Sequence, residues 1–369
     1  MTERTLTLRE LNRATLARQY LLDRAALDVP EAIAGLVGLQ AQVNNPPYIG
    51  LWTRLRDFRR DELTALLRRR AVVRGALLRS TLHLLTAEDY LLLRPAIQPA
   101  LERALRSFFG AQARGLDTAR LVATTLPLLE ERPRSFTELR AALVAIEPDR
   151  QPEALAYAVR TYLPLVQVPP GGTWGSGGSP AYALAEPWLG GVVAGPQESF
   201  RALVWRYLAA FGPATVRDLQ VWSGLTGLKD AVAALRPELC AFRDEQGREL
   251  LDLPDRPLPP ADLPAPPRFL PEYDNLLLAH ADRARVIPDA YRPLIFLSAA
   301  RVRATYLLDG IVRGAWKTER VRDAATLVVE PFAPLSPPDR AALADEGERL
   351  LRFIADDAAT FAVRFAEPV

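Results

Sequence analysis

The sequence predicts an α+β protein: three tandem winged-helix units, each a helix-turn-helix plus a wing, followed by a C-terminal β-rich domain. Three observations carry this. A helix–turn–helix–strand–strand order recurs three times, each time behind a Ser or Thr cap. Seven prolines between 254 and 267 form an extended linker. Beyond it the texture changes to short alternating runs, one closed by Asp309-Gly310, a hairpin turn pair.

The first unit spans 1–130. Residues 6–30 read as helices, with Thr7 as N-cap before Leu8, Leu11 and Leu16. Asp28-Val29-Pro30 opens the next, and 31–40 continue helically. Asn44 to Pro47 break the pattern, and Tyr48 to Trp52 resume an apolar face. Residues 57–69 read as a short amphipathic helix, 72–74 and 80–85 as short strands, and Thr86 as the cap of a further helix with Asp89 at its third position. The second unit, 131–195, opens on Ser135 answered by Glu138. It continues with a helix at 153–161, a strand at 165–168, a glycine-rich tip at 169–180 and a strand at 181–184. The third, 196–253, opens at Thr215, turns at Ser223-Gly224, and ends in a hairpin over 241–251. After the linker, 268–369 read as a β-rich domain with hairpin 301–317, strand 326–330 and a final helix 339–353.

Composition narrows the function. Of 369 residues, 49% are hydrophobic and 24% charged, which suits a soluble globular chain with a sizeable core. No apolar run approaches the ~18 residues of a membrane span. Met1 to Arg4 hold an acid and no apolar signal core, so the expected location is cytoplasmic, on the nucleoid when bound to DNA. Cys240 alone forms neither a disulfide within the chain nor a cysteine zinc cluster, and His83 and His280 are too few for a histidine metal site. No dinucleotide, P-loop or zinc-protease motif occurs, so no cofactor and no metal are expected.

The net charge is only +2, but its distribution is uneven. Lys229 and Lys317 are the only lysines, and residues 51–80 hold nine arginines against three acids. Such an excess steers an anion, although a solvated helix face explains it equally well.

That run directly follows Gln40-Ala41-Gln42. Two amides two residues apart share one side of an extended segment but stand about 200° apart on a helix, so they converge only if the backbone opens. Each offers one acceptor and two donors without charge, enough to hold a water or grip a base edge. Helix-capping by polar residues is the plainer use of the same stretch.

Gly38-Leu39-Gln40-Ala41-Gln42, Ser80-Thr81-Leu82-His83-Leu84, Leu270-Pro271-Glu272-Tyr273-Asp274-Asn275, His280-Ala281-Asp282-Arg283 and Leu308-Asp309-Gly310 with Trp316 follow one another in an order that resembles the AlkZ-like winged-helix DNA glycosylases over nearly the whole chain. The family has a Gln–apolar–Gln branch and a Gln–apolar–Asp branch typified by YcaQ; this chain resembles the first. The resemblance implies a concave surface for double-stranded DNA and excision of N7-alkylated purines, including bulky adducts and interstrand crosslinks left by genotoxins. It also implies Gln42 as the residue that positions water, with Gln40 as its partner.

With no lysine near that stretch, a monofunctional enzyme is expected, acting as a monomer. Arg54, Arg56, Arg79, Arg283 and Arg285 are candidate phosphate contacts. His83 and His280 lie in matched motifs and are candidate DNA-facing residues. Asn44, Tyr48 and Trp52 are candidates for the pocket wall. The uncharged tip at 169–180 would add little affinity. The competing reading is a non-catalytic winged-helix regulator; the helix at 153–161 carries only Arg160, which counts against base-edge recognition.

Overall fold

The computed structural model describes residues 4–298 and 300–368. Met1–Glu3, on which the expected absence of a leader partly rests, lie outside the described residues. Thr5–Leu6 form strand β1, and Thr7 then caps the helix Leu8–Arg18. Its hydroxyl accepts the Glu10 amide at 3.2 Å while the Glu10 carboxylate takes the Thr7 amide at 2.8 Å, a closed capping box. Asp28 caps the helix Val29–Gly35, with Pro30 in its first turn.

That helix is shorter than expected. Residues 31–40 are not one helix: Val37 (φ 56°) and Gly38 (φ 79°) are left-handed, and the chain leaves as strand β2, Leu39–Gln40. A Cβ on Gly38 would stand 2.8 Å from the Leu84 carbonyl oxygen, so a side chain fits neither the dihedral nor the space. Helices Pro46–Trp52 and Arg60–Arg68 follow, then β3 (Val72–Ala76) and β4 (Leu82–Thr86).

The later segments each run from helices into a pair of strands. Strand β5 (Arg134–Ser135) leads into helices Phe136–Ile146 and Pro152–Tyr162, then β6 (Leu165–Gln167) and β7 (Ala181–Leu184). Helices Pro196–Phe211, Val216–Ser223 and Lys229–Ala233 precede the hairpin of β8 (Cys240–Asp244) and β9 (Glu249–Asp252). Ser135 and Thr215 both close capping boxes, and Gly224 (φ 81°) ends the middle helix of the third segment. Strands β10 (Arg268–Leu270), β11 (Thr305–Leu308), β12 (Ile311–Val321) and β13 (Ala324–Pro331) come next. The helix Pro337–Ile354 does not end the fold: β14 (Thr360–Phe365) runs parallel to β13, with Phe361, Val363 and Phe365 packed on the same core as that helix.

Sheet topology joins segments distant in sequence. One six-stranded sheet has the order β2-β4-β3-β6-β7-β5, so the hairpins of the first two segments pair through Arg74↔Gln167 and Gly75↔Val166. β1 pairs in parallel with β8 in a second sheet, and β10 to β14 form the third in sequence order. Two buried ion pairs bind the start of the chain to later segments: Arg18 with Asp252 at 2.7 Å, and Arg54 with Asp274 at 2.8 Å. No described helix is long and apolar enough to cross a membrane.

Candidate active site

The glutamine pair is built by the bend at Val37-Gly38. Once past it, Leu39 and Gln40 lie antiparallel to β4 opposite Leu84 and His83, and the Ala41 amide donates to the Leu82 carbonyl at 2.7 Å. The segment is thus paired with β4 as far as Ala41, and Gln42 lies in the bend that follows. Ala41 is 1% exposed, in the apolar core around Leu36, Tyr48 and Leu84. Gln42 is exposed, whereas Gln40 is buried.

Both amides are tethered. Gln40 Oε1 accepts from Arg79 Nη2 at 2.8 Å, and Gln42 Oε1 accepts from the Leu82 backbone amide at 3.2 Å. Asn275 brackets the outer edge of β2: its Oδ1 accepts the Gln40 amide at 3.3 Å, while its Nδ2 donates to the Gly38 carbonyl. An edge strand this short would otherwise leave those backbone groups unpaired.

Arg74 holds the chain after the strand. Its guanidinium donates to the Ala41 carbonyl (2.7 Å), the Gln42 carbonyl (3.2 Å), Asn44 Oδ1 (2.6 Å) and Gln167 Oε1 (2.8 Å). All four acceptors are neutral, and burial pulls the Arg74 pKa down. The glycine-rich tip closes over the same place, because Asn44 Nδ2 donates to the Ser176 carbonyl at 2.7 Å. Gln42, Asn44, Arg74, Gln167 and Tyr182 line a cleft of about 610 Å³ with the tip as its far wall. On the other side of Val43 lies a second hollow of about 330 Å³, walled by Trp174 and Trp316 with Glu272 at its rim.

The remaining candidates divide. Asn44 stands beside Gln42 in the cleft. Arg56 is exposed and Arg283 half-buried, its guanidinium 4.2 Å from the Phe296 ring centre. Four others, expected at the DNA surface, lie inside the protein instead. Arg54 is fully buried, paired through two 2.8 Å bonds with Asp274. Arg285 is buried and donates to Thr15 Oγ1 and the Pro213 carbonyl. His280 is buried with Nε2 3.0 Å from the Phe211 carbonyl, and His83 is buried with Nδ1 3.1 Å from the Thr81 carbonyl. Tyr48 and Trp52 do not wall the cleft. Tyr48 is buried, its hydroxyl between Thr64 and the Trp174 amide, and Trp52 stacks on Phe353. Arg79 turns inward to Gln40 and to the Trp222 carbonyl rather than outward to a phosphate. Arg74, Gln167 and Asn275 were not singled out by sequence reasoning, although Asn275 stands in one of the matched motifs and Arg74 in the arginine run.

Burial and, after it, the Arg79 charge push the His83 ring from its ordinary 6.5 down to about 3; burial also lowers His280. Both rings are neutral in the folded chain but protonate once unfolded. Their contribution to stability is thus complete above pH 6.5 and is lost as pH falls from there toward 3. The urea midpoint is expected to drop between pH 7 and pH 5; the histidine-free variant His83→Gln/His280→Gln, if it folds, should drop less. A midpoint of the parent chain that is flat over this interval contradicts buried neutral rings.

Comparison with known proteins gives this arrangement its class, that of a DNA glycosylase. The model of the AlkZ-like family, described as DNA glycosylase AlkZ-like, matches residues 33–353, and the chain belongs to that family. Among solved structures it is similar to the Streptomyces sahachiroi DNA glycosylase AlkZ, at 20% identity and a TM-score of 0.76, over 98% of this chain and 100% of that one. At that identity the likeness concerns the fold. No curated protein sequence matches the chain.

Proposed function

We propose that the chain hydrolyses the N-glycosidic bond of N7-alkylated purines in duplex DNA, including bulky adducts and crosslinks left by genotoxins. Gln42 positions the water, with Gln40 as its partner. The observation that carries this reading is the exposed Gln42, in the bend just past β2, lining an open cleft while Ala41 anchors the chain in the core.

The chemistry suits an uncharged catalyst. N7 alkylation makes the purine cationic, so the base leaves with the electron pair of the C1′–N9 bond and becomes neutral without a strong general acid. Water then bonds to C1′, and its proton passes to solvent. What the protein must supply is an oriented water and a dipole near the developing positive charge. The free lone pair of Gln42 Oε1 can do both, and a neutral amide adds no repulsion beside phosphates. Lyase chemistry needs an amine nucleophile, and neither lysine lines the cleft; Lys317 pairs with Glu319 and Glu330. In this reading the three helix-and-hairpin segments are winged helices, Arg56 and Arg283 contact phosphates, and one copy of the chain covers the duplex.

Incubation with a duplex holding a single N7-methylguanine tests it. Free base should appear with no strand break until the abasic product is heated in alkali. Binding to the duplex without release supports the non-catalytic regulator instead, and neither binding nor release contradicts both.

A further inference from the structure

We infer that Arg79 is a positioning residue: it fixes the orientation of the Gln40 amide and is not a phosphate contact. This rests on the glutamine reading above. The guanidinium reaches Gln40 Oε1 at 2.8 Å and also donates to the Trp222 carbonyl. A carboxamide whose oxygen is held by a cation cannot flip, since the reversed amide would set its NH₂ against another donor. The Gln40 carbonyl is thereby turned toward Arg79 and its NH₂ group is the end left for other partners. Gln42, two residues on, keeps a lone pair on Oε1 beside its bond from the Leu82 amide. One donor and one acceptor are what a single water needs if its second lone pair is to reach carbon.

The backbone supports a dedicated device. Arg79 (φ 52°) and Ser80 (φ 58°) are consecutive left-handed residues without glycine, a costly arrangement that persists only when its surroundings enforce it. The turn is locked by the Leu77 amide on the Thr81 carbonyl at 3.0 Å. The Ser80 hydroxyl lies 2.7 Å from the Tyr157 hydroxyl of the second segment. From the third segment, Gly224 packs so closely that a Cβ there would lie 3.1 Å from the Arg79 Cα. Burial draws the Arg79 pKa down to about 10, which leaves it charged at neutral pH. All three helix-and-hairpin segments thus converge on the turn that aims one guanidinium at one amide.

The test is a double-mutant cycle. Arg79→Ala, Arg79→Lys, Gln40→Ala and Arg79→Ala/Gln40→Ala are compared by single-turnover release of N7-methylguanine at saturating enzyme, and by duplex affinity against salt. Arg79→Ala should slow release by on the order of 10²-fold, as misplacement of a reacting group does. It should leave duplex Kd and its salt slope unchanged, and cost nothing further in the Gln40→Ala background. Arg79→Lys should recover part of the rate. If Arg79→Ala does not fold, Arg79→Lys against Arg79→Gln carries the same comparison. The inference is overturned if release is unchanged while the salt slope falls by about one, the mark of a lost phosphate contact, or if the two losses multiply. Full release by Gln40→Ala would instead overturn the glutamine reading itself.

Discussion

Gln42→Ala is expected to lower single-turnover release of N7-methylguanine by about 10²–10³-fold while duplex affinity survives, since removal of one preorganised dipole from a reacting centre costs that much. Affinity should survive because Gln42 is uncharged, and phosphate neutralisation dominates binding to duplex DNA. The fold should survive too. The strand is held by backbone bonds, by Arg74 and by Asn275, and the Gln42 side chain adds only its bond to the Leu82 amide. Rapid-quench release and a melting curve on the same preparation check both halves. A variant that excises like the parent removes Gln42 from the mechanism.

Arg54→Met should destabilise the chain by about 3–5 kcal/mol, because it strands a buried carboxylate. Asp274 and Arg54 have side chains with no exposed surface, and the two terminal guanidinium nitrogens donate to the two carboxylate oxygens. Adding Asp274→Asn should return part of the loss, since the amide removes the charge and can still accept the Leu276 amide. Urea titrations of the single and double variants measure this. If Arg54→Met unfolds like the parent but binds duplex less tightly with a shallower salt slope, Arg54 belongs at the DNA after all.

What could be read from the sequence was local. Thr7, Asp28, Thr86, Ser135 and Thr215 all cap the helices that follow them, because a cap is decided within four residues. The Asp309-Gly310 turn joins β11 to β12 for the same reason. The Gln-Ala-Gln spacing suggested a shared face only for an extended backbone; β2 ends at Gln40, and Gln42 sits in the bend just past it. The contacts that place this strand were not legible. Asn275 lies 235 residues from Gln40, and the Arg54 partner 220 residues away. One arginine in a run looks like another until its acceptor is known. Arg74 holds four neutral oxygens and Arg54 one carboxylate, while Arg56 meets a backbone carbonyl at the surface. The left-handed Val37 that ends the second helix early has no local signature at all, since valine rarely adopts that dihedral.

The parallel pairing of β1 with β8 bears on how the molecule is made. As a nascent chain leaves the ribosome, Thr5 and Leu6 have no strand to join until Arg243 and Asp244 emerge, and Arg18 has no carboxylate until Asp252 follows. The first helix, whose Leu11 packs beside Leu250 and whose Leu16 packs beside Leu270, must wait undocked through that interval. Early synthesis is therefore the stage at which chaperones have sticky surface to protect, and β1 stays unpaired until β8 has emerged.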